Sequence, residues 1–281
     1  MSIRQALAHD SAALHASGEA RYIDDLPEPP GTLHAAIGVS EVAFAKIESM
    51  DLDPVRQAPG VVAVIAAGDI PGMNNIGPVI PDEPVFATQK VEFRGQPLFA
   101  VAATSVEAAR RAARLAKLRY EVLEPIVTVE QALAKKSFVL PSLTVRKGAP
   151  PATSEHQLAG TLRCGGQEHF YLEGQVALAV PGERDTMLVH SSTQHPSEVQ
   201  HLVAAALGLP DAAVTVELRR LGGGFGGKET QAALYAVAAA LLARATGRPV
   251  KLRADRDDDM RGTGKRHDFL IQYRAGCAAD G

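Results

Sequence analysis

The residues best equipped for chemistry in this 281-residue chain lie at 222–229, where GGGFGGKE separates a strand-like run from an alanine-rich helical one. Glycines let backbone N–H groups close on an anion, and a helix N-terminus favours negative charge, so the pattern points to something anionic at this turn. As a P-loop, Gly222, Gly227 and Lys228 fit, but Glu229 stands where a Ser or Thr hydroxyl should hold magnesium, and a carboxylate there repels a triphosphate. As a dinucleotide fingerprint, Gly222, Gly224 and Gly227 fit, with Asp255 at the end of the next strand to meet a ribose hydroxyl. Without any ligand, the stretch is a tight turn that packs helix on sheet. So dense a glycine run satisfies almost any glycine pattern, and spacing alone leaves the three readings open.

Other polar clusters are weaker. His190, His195 and His201 share no HExxH pattern and are separated by Pro196, so a zinc site is not expected. Asp255, Asp257 and Asp259 imitate the start of a calcium loop, yet Met260 occupies its sixth position and Arg266 its twelfth, which leaves a solvated acidic turn. His267, between Arg266 and Asp268, reads as a paired structural histidine. Cys164 and Cys277 are too few for an iron–sulfur cluster or a disulfide scaffold, and read as buried thiols in a reducing compartment.

The elements that must position these residues follow from periodicity and punctuation. In the first half, 32–40, 61–67, 92–103 and 117–123 read as strands, and TSVE at 104–107 has capping-box spacing for a helix running to about Ala116. Pro141, Gly148, Pro150 and Pro151 give 141–157 the composition of a linker, dividing the chain into domains 1–140 and 158–281. The second half reads as strands 161–164, 175–180, 186–192, 214–220 and 250–254, with helices 197–207 and 230–245 ended by Gly208 and Gly247. The fold class is therefore mixed α/β, or α+β. The chain closes on Asp280-Gly281, a hairpin-turn dipeptide that expects a further strand.

Bulk composition narrows the function classes. With 46% hydrophobic and 22% charged residues the chain is a globular protein, and a formal net charge of −3 lacks the basic excess of a nucleic-acid binder. The most apolar stretch, 232–243, is far shorter than the roughly 20 residues that span a bilayer, and reads as a buried core helix. MSIRQALAHD at the start carries charge where a signal peptide needs an apolar run, so no membrane association and a cytoplasmic location are expected.

Five blocks in order, GEARYIDDLP (18–27), GGQEHFYLE (165–173), SSTQHP (191–196), GGGFGGKE (222–229) and DRDDDM with TGKRH (255–260, 263–267), resemble the molybdenum-binding subunit of the xanthine dehydrogenase and aldehyde oxidase family. The resemblance covers nearly the whole chain. It implies a small N-terminal hammerhead-like α/β domain followed by the first part of a molybdopterin-binding domain.

The resemblance also implies roles. The residue matching Gln194 lies by the molybdenum and hydrogen-bonds an oxygen ligand, a task suited to a neutral amide beside an anionic centre. Phe225 matches the aromatic residue that walls the site, with the backbone of Gly224 and Gly226 approaching the cofactor. Glu229 matches the glutamate that binds the purine ring in purine-hydroxylating members, in a partly buried pocket, where aldehyde-oxidising relatives carry an apolar residue. The reaction implied is oxidation of hypoxanthine and xanthine to urate at a molybdenum–molybdopterin centre, with electrons passed through 2Fe–2S clusters and FAD to NAD. With two cysteines in the chain, the clusters and FAD would reside in a partner subunit, in a dimer of heterodimers. The family's base glutamate is expected in a later stretch, so no catalytic residue is assigned within 1–281 and the chain alone is expected to be inactive. The competing expectations are a dinucleotide-binding module on 222–227 and a non-catalytic remnant that retains only docking surfaces.

Overall fold

The computed structural model describes residues 6–148 and 154–281. The strands are β1 (Leu33–Val39), β2 (Ala45–Asp51), β3 (Val61–Ala66), β4 (Lys90–Val91), β5 (Pro97–Ala103), β6 (Lys117–Val122), β7 (His156–Cys164), β8 (Val176–Pro181), β9 (Met187–Ser191), β10 (Val214–Glu217), β11 (Val250–Arg253) and β12 (Phe269–Cys277). The α-helices are α1 (Ala12–Ser17), α2 (Asp53–Arg56), α3 (Val106–Ala113), α4 (Val129–Lys135), α5 (Pro196–Leu207), α6 (Ala232–Thr246) and α7 (Arg256–Gly262). The mixed α/β class expected from the sequence is what forms.

The compact units do not follow the linear division at 141–157. One unit joins Met1–Leu123 to Phe170–Gly264, and the other joins Glu124–His169 to Lys265–Gly281. The larger unit is built on a seven-stranded mixed sheet in the order β10-β9-β8-β11-β1-β5-β3, so strands from both halves of the sequence share one ladder. The seam is the parallel pairing of β1 with β11, where Leu33 stands opposite Val250 and Ala35 opposite Leu252. Composition marked 141–157 as a connection, but strand partnership over such a sequence separation leaves no local trace. The segment 149–153 of that linker lies outside the described residues, and β7 begins at His156, inside it.

β5 shows how the sheet divides its burial. All seven of its residues are buried, and side chains alternate between faces. Ala100 and Ala102 join the core under α5 and α6, whereas Phe99, Val101 and Ala103 join a second core with α3 and the three-stranded sheet β4-β2-β6. Gly38 on β1 exists for that second layer, because a Cβ there would lie 2.1 Å from the Phe99 ring. The helix α6 is buried from Ala232 through Ala243, as its composition predicts, and its alanines let the helix axis approach the sheet closely.

Several element readings shift. The strand expected at 92–103 begins only at Pro97, because a turn in which Gly95 has φ 99° separates β5 from β4. The helix expected to reach Ala116 stops at Ala113, and its cap is Ser105, whose Oγ accepts the Ala108 N–H at 3.2 Å, rather than Thr104. The strand expected at 214–220 ends at Glu217. The acidic stretch read as a solvated turn is α7: Asp255 caps it, accepting the Asp258 N–H at 2.8 Å, and the aspartates of its first turn complement the helix dipole. In the smaller unit, α4 and a nine-residue antiparallel ribbon of β7 and β12 run in register from Cys164 opposite Phe269 to His156 opposite Cys277. Cys277 on that ribbon is exposed and Cys164 half-buried, against the expectation of buried thiols, because the ribbon has no second layer among the described residues.

Candidate cofactor-facing site

The glycine stretch follows β10 and leads into α6, and one side chain from the β9–α5 turn organises it. Gln194 Oε1 accepts the N–H groups of Gly226 at 3.0 Å and Lys228 at 3.2 Å. Its own backbone N–H donates to the Lys228 carbonyl at 2.8 Å, which also accepts the Thr193 hydroxyl at 3.1 Å. Glycine at 224 is a steric requirement, since a Cβ there would sit 2.4 Å from Gln194 Oε1. The amide oxygen is thus consumed by the loop. The Gln194 Nε2 group makes no hydrogen bond among the described residues and is a donor available to a ligand.

Beneath the loop lies a buried polar layer that the sequence did not single out. Glu173 Oε2 accepts the Gly222 N–H at 2.8 Å and the Lys228 ammonium at 3.1 Å, tying the first residue of the stretch to its seventh. Lys228 is 0% exposed and Glu173 10%. The ammonium also stands 4.6 Å from the centroid of the Tyr171 ring. Burial lowers the Lys228 pKa, and the Glu173 carboxylate opposes that shift. Gln175 Nε2 donates to the Gly227 carbonyl at 3.2 Å and to the Tyr171 hydroxyl at 2.9 Å, and Tyr171 in turn donates to Asp259 at 2.6 Å. Burial and the neighbouring Asp259 carboxylate push the Tyr171 hydroxyl well above the ordinary phenol range. Asp259, 1% exposed, also accepts from Thr263 Oγ1 at 3.1 Å and from the Gln175 N–H at 3.3 Å. Within the acidic stretch it is therefore a buried hub, the opposite of a solvated turn residue.

These contacts decide between the readings of the glycine stretch. A P-loop lysine must reach phosphate, and Lys228 instead turns inward onto a carboxylate. A ribose-binding aspartate must be free at its strand end, whereas Asp255 caps α7 and pairs with Arg110. Burial raises the Asp255 carboxyl, but the Asp258 N–H and the Arg110 guanidinium outweigh it and hold the group below the usual range. The N–H groups of Gly222, Gly226 and Lys228, which would have cradled an anion, are already bonded to Glu173 and Gln194.

The other residues singled out from sequence fall as follows. Phe225 adopts a left-handed conformation, φ 54°, and its ring is 73% exposed, so within this chain it walls nothing off. Glu229 is exposed rather than partly buried, one residue beyond the Lys228 anchor. A Cβ on Gly226 would meet nothing within 4 Å, so the loop presents open backbone at that point. His190, His195 and His201 each face a separate carboxylate, Glu217 at 3.8 Å, Glu198 at 3.2 Å and Asp211 at 3.3 Å. His267 is exposed and has no ion pair among the described residues, so it is not the paired histidine its neighbours suggested. Tyr171 and Glu173 stood in the GGQEHFYLE block, and a buried role for them could have been suspected only from the alternation that precedes β8.

The residues present suit a bulky anionic cofactor approached by neutral donors. Gln194 Nε2 offers a hydrogen bond without charge, the open space at Gly226 leaves room for a ligand to approach the backbone, and the Glu173 carboxylate beneath the loop is turned inward and neutralised by Lys228. Comparison with known proteins agrees. The family model for the molybdopterin cofactor-binding domain matches residues 141–281, and that for the aldehyde oxidase and xanthine dehydrogenase a/b hammerhead domain matches 17–124. Xanthine dehydrogenase/oxidase of Gallus gallus is 42% identical over 100% of this chain and 21% of its own length, and xanthine dehydrogenase of Oryza sativa subsp. japonica is 40% identical over the same shares. Aldehyde oxidoreductase from Desulfovibrio gigas superposes with a TM-score of 0.86 at 28% identity, over 96% of this chain and 32% of that one. The chain thus spans about a fifth of the length of the curated relatives it matches. With both family models matched in order and the glycine loop organised around Gln194, the chain belongs to the xanthine dehydrogenase and aldehyde oxidase family of molybdopterin-binding proteins.

Proposed function

We propose that this chain forms one wall of the molybdenum site of a purine hydroxylase that oxidises hypoxanthine and xanthine to urate. The observation that carries this reading is the split use of the Gln194 amide: its oxygen is held by the Gly226 and Lys228 N–H groups, which leaves its nitrogen as a fixed, uncharged donor. When bound, the molybdenum–molybdopterin group supplies oxygen transfer to a ring carbon and takes up the electrons released. Gln194 Nε2 would then hold an oxygen on that group, with the backbone of Gly224 and Gly226 lining its approach and the exposed Phe225 ring closing over it. Glu229 would hydrogen-bond the ring nitrogens of the purine and steady charge that develops there during the reaction. Its exposure in this chain leaves the carboxylate accessible to such a ligand.

Electron transfer onward through 2Fe–2S clusters and FAD to NAD, the partner subunit carrying them, the dimer of heterodimers and the cytoplasmic location belong to the same proposal. Among the described residues no helix is long and apolar enough to cross a membrane. The deciding experiment is elemental mass spectrometry of the native complex captured from its host through this chain. About one molybdenum per chain, with iron alongside, is the expected result, and absence of molybdenum overturns the reading. Substrate choice is tested by Glu229→Val in that complex, which should lower kcat/KM for xanthine about a hundredfold or more and favour aldehydes; unchanged xanthine turnover removes Glu229 from its role.

A further inference from the structure

Gln194 can present its nitrogen outward only while the loop keeps Gly226 and Lys228 facing its oxygen, and those two residues are not held by regular secondary structure. What holds them is beneath. One oxygen of Glu173 binds the Gly222 N–H and the Lys228 ammonium together, so the loop is pinned at both ends to a single atom. The same lysine is pinned through its main chain, giving its N–H to Gln194 Oε1 and its carbonyl to the Gln194 N–H and the Thr193 hydroxyl. Glycine at 222 is what allows this approach, because a Cβ there would lie 2.4 Å from that of Glu173. The pair is costly to bury, and an ammonium with no exposure and one charged partner makes poor use of burial if it served stability alone.

We propose that Lys228 and Glu173 are positioning residues: together they fix the glycine loop so that the Gln194 amide stands in one orientation and Phe225 and Glu229 project from a rigid base. The assignment rests on the purine-hydroxylase reading for its consequence in turnover, and on the loop contacts alone for its consequence in rigidity. The two are therefore read separately. Neither residue touches substrate or cofactor in this arrangement, so both act through Gln194 and the loop backbone.

The test uses the native complex carrying Lys228→Met, which keeps the side chain's length without its charge, and Glu173→Gln, which keeps an acceptor for Gly222 and Lys228. In Lys228→Met, amide hydrogen exchange across 222–229 should speed by about tenfold or more while the interior of α6 is unchanged. In the same complex, kcat for xanthine should fall by about tenfold or more, with molybdenum content and the KM for NAD held within about twofold. Glu173→Gln, which keeps the volume but leaves the buried ammonium without its counter-charge, should shift both properties in the same direction as Lys228→Met, and the double variant Lys228→Met/Glu173→Gln should lose little more than Lys228→Met alone, a coupling that two independent packing losses would not give. Unchanged exchange at the loop overturns the proposal, as does faster exchange with unchanged kcat in a molybdenum-containing complex. If Lys228→Met fails to accumulate, Glu173→Gln decides by the same two measurements: faster exchange across 222–229 with a lower kcat is the expected result, and unchanged exchange or unchanged kcat overturns the proposal. A wild-type complex without molybdenum would remove the purine-hydroxylase reading while the exchange measurement still decides whether the pair pins the loop.

Discussion

Two strands of comparable sequence character, β8 and β7, meet opposite fates. β8 (VALAVP) is buried along its first four residues between neighbours in the seven-stranded sheet and under α6, whereas β7 (HQLAGTLRC) has no fully buried residue. The register of the ribbon places Leu158, Gly160, Leu162 and Cys164 of β7 beside Ala275, Tyr273, Ile271 and Phe269 of β12, all on one face. That face is apolar, yet Leu158 is 62% exposed. Alternation therefore marks which side of a strand is meant to be covered, while coverage itself depends on a second layer that the strand cannot supply. The polar residues divide in the same way: in the larger unit Asp259 and Lys228 are enclosed and held by buried partners, while in the smaller unit Arg163 pairs with Glu130 in full view of solvent.

Perturbations in the larger unit should accordingly be severe and those in the ribbon slight. The largest effect is expected from Asp259→Ala, which removes the buried carboxylate that accepts from the Tyr171 hydroxyl, the Thr263 hydroxyl and the Gln175 N–H. A loss of about 3–5 kcal/mol is anticipated in urea unfolding, and a loss below about 1 kcal/mol would mean that the layer is wetter than it looks. Next comes Leu242→Ala in α6, a fully buried position, at about 2–4 kcal/mol by the same measurement. A value near zero there would show that the helix repacks on the sheet.

A smaller, pH-dependent effect belongs to Asp255. Its carboxyl is held below its ordinary value in the folded state, so its stabilising contribution is complete above the unfolded value of 3.8 and is lost as pH falls through the folded one. Thermal unfolding followed from neutral pH down to about pH 2 should therefore fall more steeply for the parent chain than for Asp255→Asn; parallel curves would show that Arg110 contributes no preferential binding of the charged form. The smallest effect is expected from Leu162→Thr in the ribbon, within about 0.5 kcal/mol. A large loss there would mean that the apolar face is covered in solution, contrary to the contrast drawn above.

The legibility of the fold follows the same division. α6 was readable because twelve consecutive apolar or small residues between a glycine turn and Gly247 admit little else. α7 was not, because its aspartates resemble a loop until Asp255 is seen to cap the helix and Asp259 to turn inward. In the site, Gln194 and Gly226 were marked by their motif and meet at hydrogen-bond distance, with Gly224 packed too closely on the same amide for a Cβ, whereas Glu173 and Gln175 carried no local signature. An acidic residue read in sequence looks like surface, and only a lysine brought from 55 positions away makes its burial tolerable.

The sequence by itself determined most of the element types in the seven-stranded sheet and its helices, the glycine turn and the family, since these depend on periodicity, on backbone freedom and on short motifs, all local quantities. Tertiary structure alone decided that β1 and β11 join the two halves in one sheet, that Lys228 points down to Glu173 instead of out to an anion, and that the Gln194 amide oxygen is taken up by the loop N–H groups. Each of those outcomes depends on which distant group arrives to satisfy a buried donor or acceptor, and that is settled only when the chain has packed.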